Sequence, residues 1–279
     1  MARQLSISTS LDYALPLEVQ VPLIALAGFT HLSLGENVDH SGYRDPERRL
    51  LLRQLLEVHG LHLDTLHGPC LDEERSEGLL FAIEAAADLG APVVVAHAGP
   101  FDFPMAELPA RMEAVRRRCA EITPILEQTG ITIALENVAP GPATDLVHLA
   151  LAELDPRWFA FCYDSAHDQI DGPRPFTLLN ELGDRLVAVH LSDRVRAFVD
   201  HVPPGDGWID WETLVAAMRK TLFAGPLLFE VMVLHATEKD PARLLRLTYE
   251  RGCALSDQIF ADRGTAAERE TLGLSRRSS

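Results

Sequence analysis

The stretch ITIALENV, residues 131–138, is an apolar run that leaves Gly130 and stops on Glu136. Five others repeat its form. They are LHLDTLHGP (61–69) reaching His67, PVVVAHAGP (92–100) reaching His97, FAFCYDSAH (159–167) reaching Asp164, LVAVHLSD (186–193) reaching His190 and LLFEVM (227–232) reaching Glu230. Metal-binding and acid–base side chains at the carboxyl ends of parallel strands are the way a β/α barrel builds its active site. Two further runs, near 4–8 and 30–34, complete eight strands, with amphipathic segments between them. Recurrence of βα units at roughly 30–40 residues predicts a closed parallel sheet, a single (β/α)8 TIM barrel over residues 1–260. A doubly wound open sheet is the competitor, but it draws its site from fewer strands, around one switch point.

Local signals agree. Asp45 followed by Pro46 starts a helix that closes on Gly60, and Gly28, Gly90, Gly130 and Gly225 also stand just before strands. Counting back by two from Glu136, Asp164 and His190 gives Ala134, Cys162, Ala188 and Leu186, a small set predicted to line the barrel interior. The opposite parity carries Ile133, Leu135, Phe161, Tyr163, Val187 and Val189, predicted to face the helices. Asp64 breaks this scheme, since it shares the parity assigned to the helix side. The segment 261–279 is small, polar and charged, and reads as a loosely packed or disordered tail.

The 279 residues suit one barrel of the usual size of about 250 residues. A formal charge of −16, from 25 basic and 41 acidic residues, argues against a nucleic-acid partner. Lys220 and Lys239 are the only lysines, and neither falls at a strand end, which disfavours Schiff-base chemistry. The four cysteines show no C-x-x-C spacing, consistent with reduced thiols and a cytoplasmic location. No apolar stretch nears the roughly 20 residues needed to span a bilayer, so no membrane role is expected.

Glu136, Asp164, His190 and Glu230 form a set of three carboxylates and one imidazole from four different strands. Such donors suit one divalent ion: Mg²⁺, Mn²⁺, Co²⁺ or Zn²⁺. Asp193 reads as a cap of the segment that follows it, and Asp210 as the N-cap of the seventh helix. Gly205 and Gly207 in HVPPGDGWIDW (201–211) would let a substrate approach closely.

The motifs LHGP (66–69), VVVAHAGP (93–100), IALENV (133–138), YDSAHD (163–168), VAVHLSDR (187–194), HVPPGDGWIDW and LLFEVM together resemble the xylose isomerase-like barrel superfamily. That superfamily includes sugar isomerases and epimerases, inosose dehydratases and endonuclease IV-type apurinic-site nucleases. The resemblance implies Glu136, Asp164, His190 and Glu230 as ligands of one metal, and His167 and Arg196 as contacts to substrate. It also implies a small carbohydrate as substrate, and pairing of the barrel as a homodimer. The nuclease branch implies more: His67 and His97 with Glu136 as a second metal site, and His167 and His201 where a third would sit. The aspartate of that third site, expected two residues before His201, is Val199 here. His67 and His97 are otherwise read as substrate-binding.

The expected activity is therefore metal-dependent isomerisation or epimerisation of a sugar-derived carbonyl compound through an enediolate, with Glu136 and Glu230 as base and acid. A dehydratase, a metal-dependent phosphodiesterase and a non-catalytic sugar-binding barrel are the rival readings.

Overall fold

Eight parallel strands run in chain order around one closed barrel: β1 (Leu5–Ser8), β2 (His31–Leu34), β3 (His62–His67), β4 (Val93–His97), β5 (Thr132–Glu136), β6 (Phe159–Asp164), β7 (Leu186–Leu191) and β8 (Leu227–Phe229), the last pairing with β1. The computed structural model describes residues 4–73, 76–196 and 200–261. The segment 262–279, expected to be a loose tail, lies outside the described residues, as does Val199.

The helices are α1 (Leu17–Ala27), α2 (Val38–Ser41), α3 (Pro46–His59), α4 (Glu77–Leu89), α5 (Leu108–Thr129), α6 (Pro142–Glu153), α7 (Ser165–Asp168), α8 (Thr177–Leu182), α9 (Trp211–Met218) and α10 (Pro241–Ile259). Helix α3 starts as its sequence requires: the Asp45 carboxylate accepts from the Glu47 amide at 2.9 Å, and Gly60 ends the helix at φ +64°. Asp210 caps α9 in the same way, accepting from the Thr213 amide at 3.1 Å. Among the described residues no helix is long and apolar enough to cross a membrane.

Strand parity holds through β5 and β6. Ile133, Leu135, Phe159, Phe161 and Tyr163 join the large core against the helices, whereas Ala134, Cys162 and Ala188 pack inside the barrel with Val93 and Val95. It fails at two bulges. Phe161 pairs with Leu186 but Cys162 with Ala188, so Val187 is an extra residue in β7. Leu186, expected inside, therefore joins the outer core, and Val187 packs inward against the small interior set. In β3 the partners of Leu32 and Ser33 are Leu63 and Thr65, which makes Asp64 the extra residue. Leu63 then turns outward, Thr65 donates inside the barrel to Ser33 Oγ at 2.7 Å, and Asp64 turns inward beneath the site.

The interior is thus divided. Small apolar side chains fill it on the β4–β7 side, and Ser6, Ser8, Ser33, Asp64 and Thr65 line it from β1–β3. Burial pushes the Asp64 carboxyl up to about 7, with Ser6 and His190 drawing it partly back. A carboxyl raised above its unfolded value destabilises the fold once ionised. The penalty is absent below about pH 4, grows as pH rises, and is complete above about pH 7. Asp64→Asn should therefore stabilise the protein by about 1–3 kcal/mol at high pH and by nothing near pH 4. Thermal melts at both ends of that range check this; equal shifts at the two pH values would rule out ionisation of Asp64 as the cause.

Candidate metal centre

Because adjacent parallel strands run in register, their last inward side chains meet at one height. His97 lies opposite Glu136 across the β4–β5 ladder, and Asp164 opposite His190 across β6–β7. Glu136, Asp164, His190 and Glu230 each bring one donor atom to a point where all four lie within 4.8 Å of one another. Glu136 and Asp164 are fully buried, while Glu230, just past β8, is open enough to face the mouth. The His190 Nδ1 sits between two carboxylates, 2.9 Å from Glu136 Oε1 and 3.1 Å from Glu230 Oε2. A second group shares Glu136: His67 Nε2 and His97 Nε2 lie 3.0 and 3.2 Å from its Oε2.

The charges in this arrangement are strongly coupled. Burial disfavours a charged ring at His190, but Cys162, Glu136 and Glu230 together hold it well above the usual histidine range. Desolvation opposes ionisation of Glu136 and Glu230 too, and His190 overcomes it, drawing both below the ordinary carboxylate range. Asp164, desolvated and next to Glu136, is raised to about 7. Its Oδ1 accepts from the His167 amide at 2.6 Å, while its Oδ2 is buried without a hydrogen-bond partner. An orphaned carboxylate oxygen facing two further carboxylates and an imidazole fits a divalent cation.

Loading such a cation must displace the protons held by His190 and Asp164. Affinity for Mn²⁺ or Zn²⁺ should therefore climb with pH through about 7, with protons released on binding. Calorimetric titrations in two buffers of different ionisation enthalpy measure that release directly. Heats independent of buffer would contradict it.

His167 lies at the mouth. Its Nδ1 is 3.1 Å from the Asn137 carbonyl and 3.6 Å from Glu136 Oε1, and its ring meets those of Phe101 and His201 at 5.1 and 5.8 Å. His201 takes a left-handed backbone, φ +50°, beside Ser192 Oγ at 3.3 Å. Arg196 is exposed on the loop after β7.

That loop is folded around Asp193, as a cap should be. Its carboxylate accepts from the amides of Arg194, Gly205 and Ile209 at 2.8, 2.8 and 3.1 Å, and from Trp211 Nε1 at 2.8 Å. The space at Gly207, expected to admit a substrate, is taken by the chain itself: a Cβ there would overlap Arg194 O and Asp193 Oδ1.

Residues 21–248 match the family model of the xylose isomerase-like TIM barrel. The chain belongs to that family. The uncharacterised protein y4fM of Sinorhizobium fredii is 28% identical over 246 residues, covering 75% of this chain and 78% of that protein. Among solved structures, a D-tagatose 3-epimerase-like protein superposes with a TM-score of 0.72 at 18% identity, covering 92% of this chain and 100% of the other. The IolI protein with a bound zinc atom superposes with a TM-score of 0.72 at 17% identity, covering 92% and 99%. Likeness at that identity speaks for the fold.

In this xylose isomerase-like barrel, several supporting residues escape a reading of strand ends. Asn137 ties the ends of β5 and β6 together, donating to Asp164 O at 2.9 Å and accepting from Asp164 N at 2.8 Å. Ser165 does the same toward β7, donating to Ser192 O at 2.7 Å and accepting from Ser192 N at 3.0 Å. Ser10 Oγ reaches Glu230 Oε1 at 3.3 Å, and the fully buried Arg194 donates to Ala166 O and Asp200 Oδ2 at 2.8 and 2.7 Å. Asn137 and Ser165 stand one residue past their strands, within ENV and DSA, where polar loop residues usually have no task.

Proposed function

We propose that the protein is a divalent-metal-dependent isomerase or epimerase of a small polyhydroxylated carbonyl compound. One observation carries this reading: two carboxylates, Glu136 at the end of β5 and Glu230 just past β8, flank a single cation-fitting pocket. Glu136, Asp164, His190 and Glu230 would hold the cation, which would supply Lewis-acid polarisation of a substrate carbonyl and so acidify the proton on the neighbouring carbon. Glu230 is the accessible base, oriented by Ser10. Glu136, fixed by His67 and His190, would first take up a proton from His67 and then deliver it from the other side, giving the epimer or, at the adjacent carbon, the isomer. His167 at the mouth is placed to bond a substrate hydroxyl. The D-tagatose 3-epimerase-like neighbour, and the zinc in the IolI protein, are compatible with this chemistry.

The test is turnover of a panel of ketoses and inososes in deuterium oxide with Mn²⁺. The expected product carries deuterium on the carbon beside the carbonyl. Loss of water from the product would assign a dehydratase instead, and no conversion of any member would count against the reading.

A second reading has its own observation, the His67–His97–Glu136 group, which together with the first group could hold two ions as in a hydrolase. Metal analysis finding two tightly bound zincs per chain, with cleavage of abasic DNA, would favour it. The charge of −16 weighs against it.

A further inference from the structure

The loops after β7 and β8 meet in a group of charged side chains that the proposed reaction does not use: Arg194, Asp200 and His235. Arg194 is fully buried, and its guanidinium joins two segments of the mouth. Its Nε donates to Ala166 O at 2.8 Å, one residue before His167, and its Nη2 to Asp200 Oδ2 at 2.7 Å, one residue before His201. The other Asp200 oxygen lies 3.1 Å from His235 Nδ1, which is also 2.7 Å from the Asp200 carbonyl. A guanidinium carries its donors in a rigid planar fork, so partners bonded to it keep a set spacing. The two histidines that follow those partners face each other with ring centres 5.8 Å apart.

His201 is held in an unfavourable conformation. Among the described residues it is the one non-glycine with a left-handed backbone, at φ +50°. Such residues persist only where their surroundings fix them, and they gather at functional sites. Here His201 O accepts from Met232 N at 2.8 Å, and Asp193 and Val202 exchange backbone hydrogen bonds at 2.8 and 3.2 Å. With Asp200 anchored on the preceding side, the chain is fixed both before and after the ring.

A third metal ion is the other use this segment could have, with an aspartate two residues before His201 as a ligand. That position is Val199, and the adjacent Asp200 has one oxygen on Arg194 and the other on His235. Among the described residues, neither Asp200 nor His201 belongs to a set of three or more donors lying within 4.8 Å of one another.

We infer that Asp200 is a positioning residue in place of a metal ligand: paired with Arg194 and His235, it fixes His201 opposite His167, and His201 contacts a substrate oxygen. The substrate contact rests on the isomerase reading, whereas the positioning does not.

The full chain is compared with Asp200→Asn, His235→Ala, His201→Gln and the double variant Asp200→Asn/His201→Gln. His235→Ala keeps the buried Arg194–Asp200 pair and serves where Asp200→Asn fails to fold. Metal analysis and Mn²⁺ titration should give the same ion count and affinity in the wild type, Asp200→Asn and His235→Ala; an ion lost in Asp200→Asn would make Asp200 a ligand and overturn the assignment. The His201 ring signals in a heteronuclear NMR spectrum, identified by their loss in His201→Gln, should move in Asp200→Asn and His235→Ala. Unmoved signals would overturn the positioning whatever the substrate is. With a ketose or inosose that turns over in deuterium oxide, each single variant should lower kcat/KM about tenfold. The double variant should be no worse than His201→Gln alone, because removing the ring removes what Asp200 acts on. Losses that multiply would overturn the positioning, and wild-type kinetics in His201→Gln would overturn the contact while the isomerase reading stands. A wild type that converts no panel member would remove the contact and the isomerase reading together, with the ring signals still deciding the role of Asp200.

Discussion

Glu136→Gln is expected to abolish deuterium exchange at the substrate carbon and to weaken divalent-metal binding by 100-fold or more, on the order of the loss for a buried charged ligand. The reason is that one carboxylate serves both halves of the centre: Oε1 faces His190 at 2.9 Å, and Oε2 faces His67 and His97 at 3.0 and 3.2 Å. An amide keeps the shape but presents an N–H to one of these nitrogens and removes the charge that holds His190 protonated. The metal-free variant should also lose stability, by about 2–4 kcal/mol, because Glu136 is the fully buried acceptor that His67, His97 and His190 share. Glu230→Gln is the control. Glu230 is nearer the mouth and its carboxylate is bonded by His190 and Ser10, without the further histidines that hold Glu136, so exchange should fall as far while the metal-free melting temperature moves much less. Exchange measured by mass spectrometry, with metal in excess over the weakened affinity, separates loss of the base from loss of the ion. Survival of exchange in both variants would show that neither glutamate moves the proton.

The other large effect is expected in the loop after β7, around the Asp193 carboxylate. Gly207→Ala should destabilise the protein by about 3 kcal/mol or more, since its Cβ would overlap two fully buried neighbours, Arg194 O and Asp193 Oδ1. Neither can yield: Arg194 O accepts from Trp208 N at 2.9 Å, and the Asp193 carboxylate organises four donors. Gly205→Ala, two residues away, isolates the backbone contribution. It has φ +89° but open space around it, so its cost should be only the strain of a left-handed residue, about 1–2 kcal/mol. Urea denaturation of both variants gives the comparison directly. A Gly207 variant as stable as the Gly205 one would mean that the loop is not packed around Asp193.

How much of this could be read before folding is clear from particular residues. Glu136, Asp164, His190 and Glu230 were legible because apolar runs in parallel strands end together, and chemistry-bearing side chains at those ends have little else to do. Asp193 and Asp210 were legible as caps because short acidic side chains ahead of a helix or turn satisfy its free amides. Leu186 and Val187 were misplaced, and Asp64 had no explanation, for one shared reason. A bulge inserts a residue without altering the apolar pattern, and every side chain on one flank then changes face.

The chain on its own, then, settles the order of strands and helices, the barrel and the identity of its strand-end donors, since period and alternation are local properties of the backbone. Folding in three dimensions decides what those donors share: which oxygen of Glu136 faces which histidine, why Asp164 Oδ2 has no partner, and how Asp193 comes to fill the amides of its own loop. These depend on contacts between residues tens of positions apart, whose distances are set by register, bulges and packing, none of which a short window of sequence encodes.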